Sequence, residues 1–315
     1  MQQMSIPEMR AYLERSTSSL NANKLHGMKA EASFRSYVQS LGASQRVSPG
    51  GWIFRQKGEQ DFGNSTVAVF PHCLDADRDY SKEPSRTDIP LTLHTICATM
   101  HQIGIRSFYA HPVISGGSTG KVVVWKLIQL GVPWQTEFAD ADLAFTAFIR
   151  RSRRYNYLRY STDVSSLSDG DVLVQFSHEN LRVFIEDRFM CETSDIDGIV
   201  WGERYTYPIE IKEKAPARDN DIGEWFGLDT GPFVKLAHYA ARRGNLHSLF
   251  VVREIEDPAT RTFKRWLFTE FDKLAQYASW VPRSGGQSMG GSTSMVVRIP
   301  RTAFRELDAK ALKEI

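Results

Sequence analysis

The stretch Ser194-Asp195-Ile196-Asp197-Gly198-Ile199-Val200-Trp201, followed by Tyr207-Pro208-Ile209-Glu210-Ile211-Lys212, decides how this chain is read. Both halves read as strands, and Gly202-Glu203-Arg204 supplies the turn of a hairpin between them. Strand side chains alternate faces, so Glu210 and Lys212 point one way while Ile209 and Ile211 face the opposite layer. The hairpin brings the Asp197 carboxylate near Glu210. Two carboxylates and a lysine then converge on an otherwise apolar sheet, a trio suited to phosphodiester hydrolysis. Asp197 and Glu210, with the Ile211 carbonyl, are hard oxygen ligands for Mg2+. Such an ion lowers the pKa of a bound water and neutralises charge building on the phosphate. Lys212 either orients the attacking water or stabilises the pentacovalent phosphorus. An E-x-K triplet alone is a weak signal, and a structural salt bridge on a sheet edge produces the same letters. The Asp-Gly strand at hairpin distance and the helix–strand unit that follows give the triplet its weight.

Working outward, residues 5–20 read as a short amphipathic helix. His26 to Leu41 reads as a better one, with Phe34, Tyr37, Val38 and Leu41 at helical spacing and Gly42 as its stop. After a turn at Ser48–Gly51, strands are expected at 52–54 and 67–70, then a charged surface excursion over 74–90. Helices are expected at 91–103, 122–130 and 140–151, with a strand at 107–110. Strands are expected at 172–176 and 181–185 ahead of the hairpin. Beyond it follow a helix at 233–242, a strand at 249–252, a helix at 271–280, a Gly/Ser-rich loop over 284–294 and a strand at 295–299. The expected whole is an α/β chain with a mixed central sheet flanked by helices.

The 315 residues carry 39 Lys+Arg against 37 Asp+Glu, a net charge of +2. That balance argues against a partner held by bulk charge, so any positive surface for nucleic acid must be local. A hydrophobic share of 42% excludes collagen-like and disordered readings. There is no apolar run of signal-peptide or bilayer-spanning length, so the expectation is a cytoplasmic protein with no membrane partner. Cys73, Cys97 and Cys191 are odd in number and far apart, which fits neither a disulfide framework nor a zinc site.

With these residues in view, the sequence resembles the PD-(D/E)xK nuclease superfamily. Asp197 matches the first acid and Glu210-Ile211-Lys212 the triplet; Ile196 stands where the motif has proline. Asp195, one alternate residue away on the same strand, is the fallback for the first acid. Gly27-Met28-Lys29-Ala30-Glu31 is similar to the Gly-x-x-x-Glu setting on the family's first core helix, which makes Glu31 an accessory acid; a solvated first-turn acid is the competing reading. Tyr239, on the helix after the triplet, stands where relatives place a Gln or Tyr near the phosphate, although tyrosines at helical spacing are more often core.

The resemblance implies a restriction-endonuclease-like fold in one nuclease domain over 1–315. Its catalytic core is about 20–45 plus 166–270. A large insertion at 46–165, after the first core helix, is the region for DNA recognition or dimerisation, and 271–315 forms a C-terminal helix, loop and strand. The implied activity is that of a Mg2+-dependent DNA endonuclease, with Mn2+ able to substitute, cutting double-stranded DNA as a homodimer, most like a type II restriction enzyme. The alternatives are a phage-defence or repair nuclease of the same fold with lower sequence specificity, and a catalytically inactive DNA-binding module.

A candidate DNA surface lies at Arg150, Arg151, Arg153, Arg154, Tyr155, Tyr157 and Arg159. There arginine forks suit phosphate and guanine, and tyrosines stack or bond the backbone. A solvated basic helix end is the plainer reading. Lys214 adds a phosphate contact near the catalytic strands. Two motifs fail on inspection. Ser115 to Val122 lacks the first glycine and the Ser/Thr of a phosphate-binding loop, and reads as a loop entering a helix. Asp75-x-Asp77-x-Asp79 lacks the glycine and terminal Glu of a calcium loop.

Overall fold

The computed structural model describes residues 3–16, 22–56, 66–117, 120–131, 137–153, 164–240, 245–284 and 293–315. The chain opens with α1 (Ile6–Ser16), α2 (Ala22–Ser40), β1 (Val47–Gln56), β2 (Thr66–Pro71) and α3 (Leu91–Gln102). Next come β3 (Arg106–Gly117), β4 (Gly120–Leu130), β5 (Ala139–Asp140), α4 (Ala141–Ala144) and α5 (Asp169–Glu186). The central run is β6 (Cys191–Trp201), β7 (Thr206–Lys214), β8 (Ala217–Asp219), β9 (Gly223–Asp229), α6 (Thr230–Ala240) and β10 (Leu249–Ile255). It closes with β11 (Phe263–Glu270), α7 (Phe271–Tyr277), β12 (Ser279–Ser284), β13 (Thr293–Pro300), β14 (Arg305–Glu306) and α8 (Ala309–Glu314). The protein is mixed α/β. Among the described residues no helix is long and apolar enough to cross a membrane.

The chain divides into two compact units, Met1–Met28 with Gly50–Ile196, and Lys29–Pro49 with Asp197–Ile315. In the first unit β1 pairs antiparallel with β2, β2 runs parallel to β3, and β3 and β4 form a long antiparallel hairpin. The parallel β2–β3 step requires a crossover, which α3 supplies. Trp52, Phe54, Val67, Val69, Phe108 and Trp125 pack with Val172, Phe176, Leu181 and Ile185 of α5 into one core.

Several expectations are corrected along these segments. Residues 172–176 and 181–185 are not strands but parts of α5. That helix is started by Ser168, whose side chain accepts the Asp171 N–H, and carries acids in its first turn. Residues 122–130 are not a helix but part of β4, paired with β3 from Ser107↔Leu130 to Gly117↔Gly120, so Ser115–Gly117 and Gly120–Val122 are paired strand rather than a loop entering a helix. The β-branched run Val122-Val123-Val124 belongs to that strand pairing. The helix expected over 140–151 is confined to Ala141–Ala144. The turn expected at 48–51 is continuous strand within β1.

In the second unit β6 and β7 form the expected antiparallel hairpin, with Gly198 opposite Ile209 and Trp201 opposite Thr206. β7 runs parallel to β10, which pairs antiparallel with β11, and β11 with β14. One face of these strands presents Ile209, Ile211, Leu249, Val251, Trp266 and Phe268 to Ala30, Phe34 and Val38 of α2. The other face presents Phe250, Val252 and Leu267 to Leu236 of α6, Leu274 of α7, and Phe226, Leu228, Val297 and Ile299 of a second sheet ordered β12-β13-β9-β8. The helix expected at 271–280 ends at Tyr277 because Ser279–Ser284 leaves to pair with β13.

Candidate active site

The β6–β7 hairpin sets the site. Its register places Asp197 and Glu210 as neighbours one step beyond the Gly198–Ile209 pair. The Asp197 Oδ2 atom accepts the backbone N–H of Ile211 at 2.6 Å, tying the carboxylate to the strand that carries the triplet. Glu210 pairs in register with Phe250 and Lys212 with Val252, so both point to the face covered by α6. Asp197 is 7% exposed and Glu210 1%.

A carboxylate so buried is tolerated only when its charge is matched. Glu210 is matched twice. The Lys212 ammonium lies 2.7 Å from Oε1, and the Lys235 ammonium, from α6, lies 2.7 Å from Oε2. Lys212 is partly exposed, its side chain at 34%, whereas that of Lys235 is 8% exposed. One lysine can therefore reach outward to a ligand while the other is held inside.

Asp195 is exposed and sits two residues before Asp197 on the same strand. Ligand oxygens of Asp195, Asp197 and Glu210 all lie within 4.8 Å of one another. Two oxygens bound to one Mg2+ at about 2.1 Å sit at most about 4.2 Å apart, and around a larger oxygen-loving cation about 5 Å. The three carboxylates thus fit a single hard cation after small side-chain adjustments, and oxygen-only donors are what Mg2+ or Mn2+ requires.

The other expected residues are placed as follows. Glu31 lies half-buried on α2, whose Ala30, Phe34 and Val38 pack on the Ile209–Ile211 face; it is not one of the three clustered acids. Tyr239 is buried on α6 one turn after Lys235, on the same inner side as Leu236. Lys214 is half-buried at the end of β7. Arg150 is exposed and pairs with Asp142 at 2.8 Å. Arg151 turns inward: its guanidinium donates to the backbone carbonyls of Glu186, at 2.8 Å, and Phe189, at 3.4 Å, at the end of α5. Arg153 is exposed. Arg154, Tyr155, Tyr157 and Arg159 lie outside the described residues.

Lys235 is the site residue that sequence reasoning missed. Its signal is its place in the Lys235-Leu236-x-x-Tyr239 stripe, which is the buried side of α6. A lysine in an amphipathic helix ordinarily reads as solvent-facing. No family model, curated protein or solved structure matches the chain.

Proposed function

We propose that the protein is a Mg2+-dependent DNA endonuclease of the PD-(D/E)xK kind, with a restriction-endonuclease-like fold, working in the cytoplasm as a homodimer on double-stranded DNA in the manner of a type II restriction enzyme. The observation that carries this reading is the meeting of Asp197, Glu210 and Lys212 on one face of the β6–β7 hairpin, with Asp195 beside them.

In this reading Asp195, Asp197, Glu210 and the Ile211 carbonyl would hold the ion, and its chemistry there would be to make a bound water more acidic and to offset charge on the phosphate. Lys212, anchored on Glu210 Oε1 yet partly exposed, orients the attacking water or balances charge on the phosphorus. The Ile211 N–H holds the Asp197 carboxylate in place. Arg153 and Lys214 supply phosphate contacts.

The test is a plasmid digest with and without Mg2+, comparing wild type with Glu210→Ala and Lys212→Ala. Discrete bands that require Mg2+ and vanish in both variants are expected; a smear favours the less specific defence or repair nuclease. Variants that cut as well as wild type would remove these residues from the active site.

A second reading is a DNA-binding module in which the cluster is structural. The ion pairs from both Glu210 oxygens to lysines favour it, since the charge of that one carboxylate is matched without a metal. It requires that no DNA is cut and that divalent ions leave the melting temperature unchanged.

A further inference from the structure

We infer that Lys235 is a resident cation that restricts this site to one divalent ion, an inference that rests on the metal-site reading above. Two-ion phosphodiesterase centres hold their ions about 3.5–4 Å apart, and a carboxylate that bridges such a pair offers one oxygen to each. Glu210 is the buried acid placed to bridge, but its two oxygens already face different partners. Oε1 faces Lys212, which is partly exposed, and Oε2 faces Lys235, which is enclosed under α6. On Asp197, Oδ2 is engaged by the Ile211 N–H. A second ion on the inner edge of Glu210 would have to displace the Lys235 ammonium from a place where it has little water to retreat to.

Charge leads to the same result. The carboxylates of Asp195, Asp197 and Glu210 with the ammoniums of Lys212 and Lys235 leave one net negative charge. One divalent ion converts that to one net positive charge, the complement of the single charge on a phosphodiester. Two ions would leave an excess of three positive charges in a largely buried site, where screening is weak. Lys235 is in this sense a positioning residue: it occupies the place of a second metal and fixes the Glu210 carboxylate edge-on to the first.

The experiment counts Mn2+ bound to the full chain from the loss of the free-ion paramagnetic resonance signal, with melting temperature followed in parallel. Wild type is expected to bind one Mn2+. Lys235→Met is expected to bind a second and to hold the first on the order of tenfold more tightly, because a neighbouring positive charge has gone. Lys235→Arg, which keeps the charge, is expected to bind one. Two ions on the wild type, or unchanged or weaker binding by Lys235→Met, overturns the inference. If Lys235→Met fails to fold, Lys235→Gln, which removes the charge but keeps a polar tip beside Glu210, takes its place, and a count of one for that variant overturns the inference. DNA cleavage with two bound ions defeats only this inference, whereas a chain that binds no ion and cuts no DNA defeats the nuclease reading with it.

Discussion

The Asp197 Oδ2 atom accepts the Ile211 N–H at 2.6 Å, so the first acid of the site is fastened to the middle residue of the Glu210-Ile211-Lys212 triplet. An amide at position 197 can still accept that hydrogen bond through its oxygen, but it carries no charge for a cation. Asp197→Asn should therefore leave thermal unfolding within about 1 kcal/mol of wild type. It should slow Mg2+-dependent DNA cleavage on the order of 10²–10³-fold. Parallel melting curves and plasmid digests check this; full activity in the variant would exclude Asp197 as a ligand.

Glu210 and Lys235 form a buried pair, so removing one partner costs more than removing both. Glu210→Gln leaves the Lys235 ammonium under α6 without its carboxylate, a loss of about 3–5 kcal/mol typical of broken buried pairs. Glu210→Gln with Lys235→Met has no charge left to bury and should be less destabilised than the two single changes added together. Urea unfolding of the four proteins measures the coupling. Additive effects would mean that the pair interacts weakly.

The hairpin that carries the site was legible in the sequence because its contacts are local: alternation, a short turn and two charged residues two apart fix it without distant information. The helix α5 was not legible. Its buried side includes Glu179, Arg182 and Glu186, which pair with one another, so the inner stripe looks half polar and only the apolar fragments at 172–176 and 181–185 stand out. β4 read as a helix because its strand character depends on β3, a pairing that single-strand patterns do not reveal. Lys235 was invisible for a related reason: nothing within α6 shows that a buried carboxylate on β7 awaits it.

Gly202 closes the β6–β7 turn, donating its N–H to the Tyr205 carbonyl at 2.9 Å. A Cβ there would fall 2.8 Å from the Tyr205 carbonyl oxygen, backbone of the same turn that cannot swing away, and would also press on the Tyr207 ring and the Ile315 carbonyl oxygen. Gly202→Ala should destabilise the protein by about 1–3 kcal/mol, as overpacked sites do. Gly27→Ala, where no atom lies within 4 Å of the added carbon, is the control and should not destabilise it. Equal melting temperatures for the two variants would show that the turn yields easily.

Arg151 and Arg153 stand two residues apart and should respond differently to truncation. The Arg151 guanidinium serves carbonyls at the end of α5, so Arg151→Ala should lower stability by about 1–2 kcal/mol. Arg153 is exposed, and Arg153→Ala should leave unfolding unchanged. If the basic cluster meets DNA, Arg153→Ala should weaken binding evenly across sequences and reduce the salt slope by about one counterion. Unfolding curves and filter binding at several salt concentrations separate the two roles.

His72 and His111 give the first unit a pH dependence of their own. Their rings lie 4.7 Å apart within a cluster that includes Tyr80, Tyr109 and Phe138. Burial is the main cause that pulls both down from 6.5 to about 4, and for His72 the neighbouring His111 and Arg78 add to it. His111 Nδ1 donates to the Pro112 carbonyl, so a second proton would have to sit on a buried Nε2 that has no hydrogen-bond partner among the described residues. Both rings are neutral in the folded and unfolded chain above pH 6.5, where they do not affect stability. As pH falls from 6.5 toward 4 the unfolded chain takes up protons that the folded one refuses, so stability is lost across that window. Melting temperature should fall steadily between pH 6.5 and 4.5, and the double variant His72→Gln/His111→Phe should fall less steeply. Identical slopes for the two proteins would show that the pair remains neutral for some other reason and does not govern acid stability.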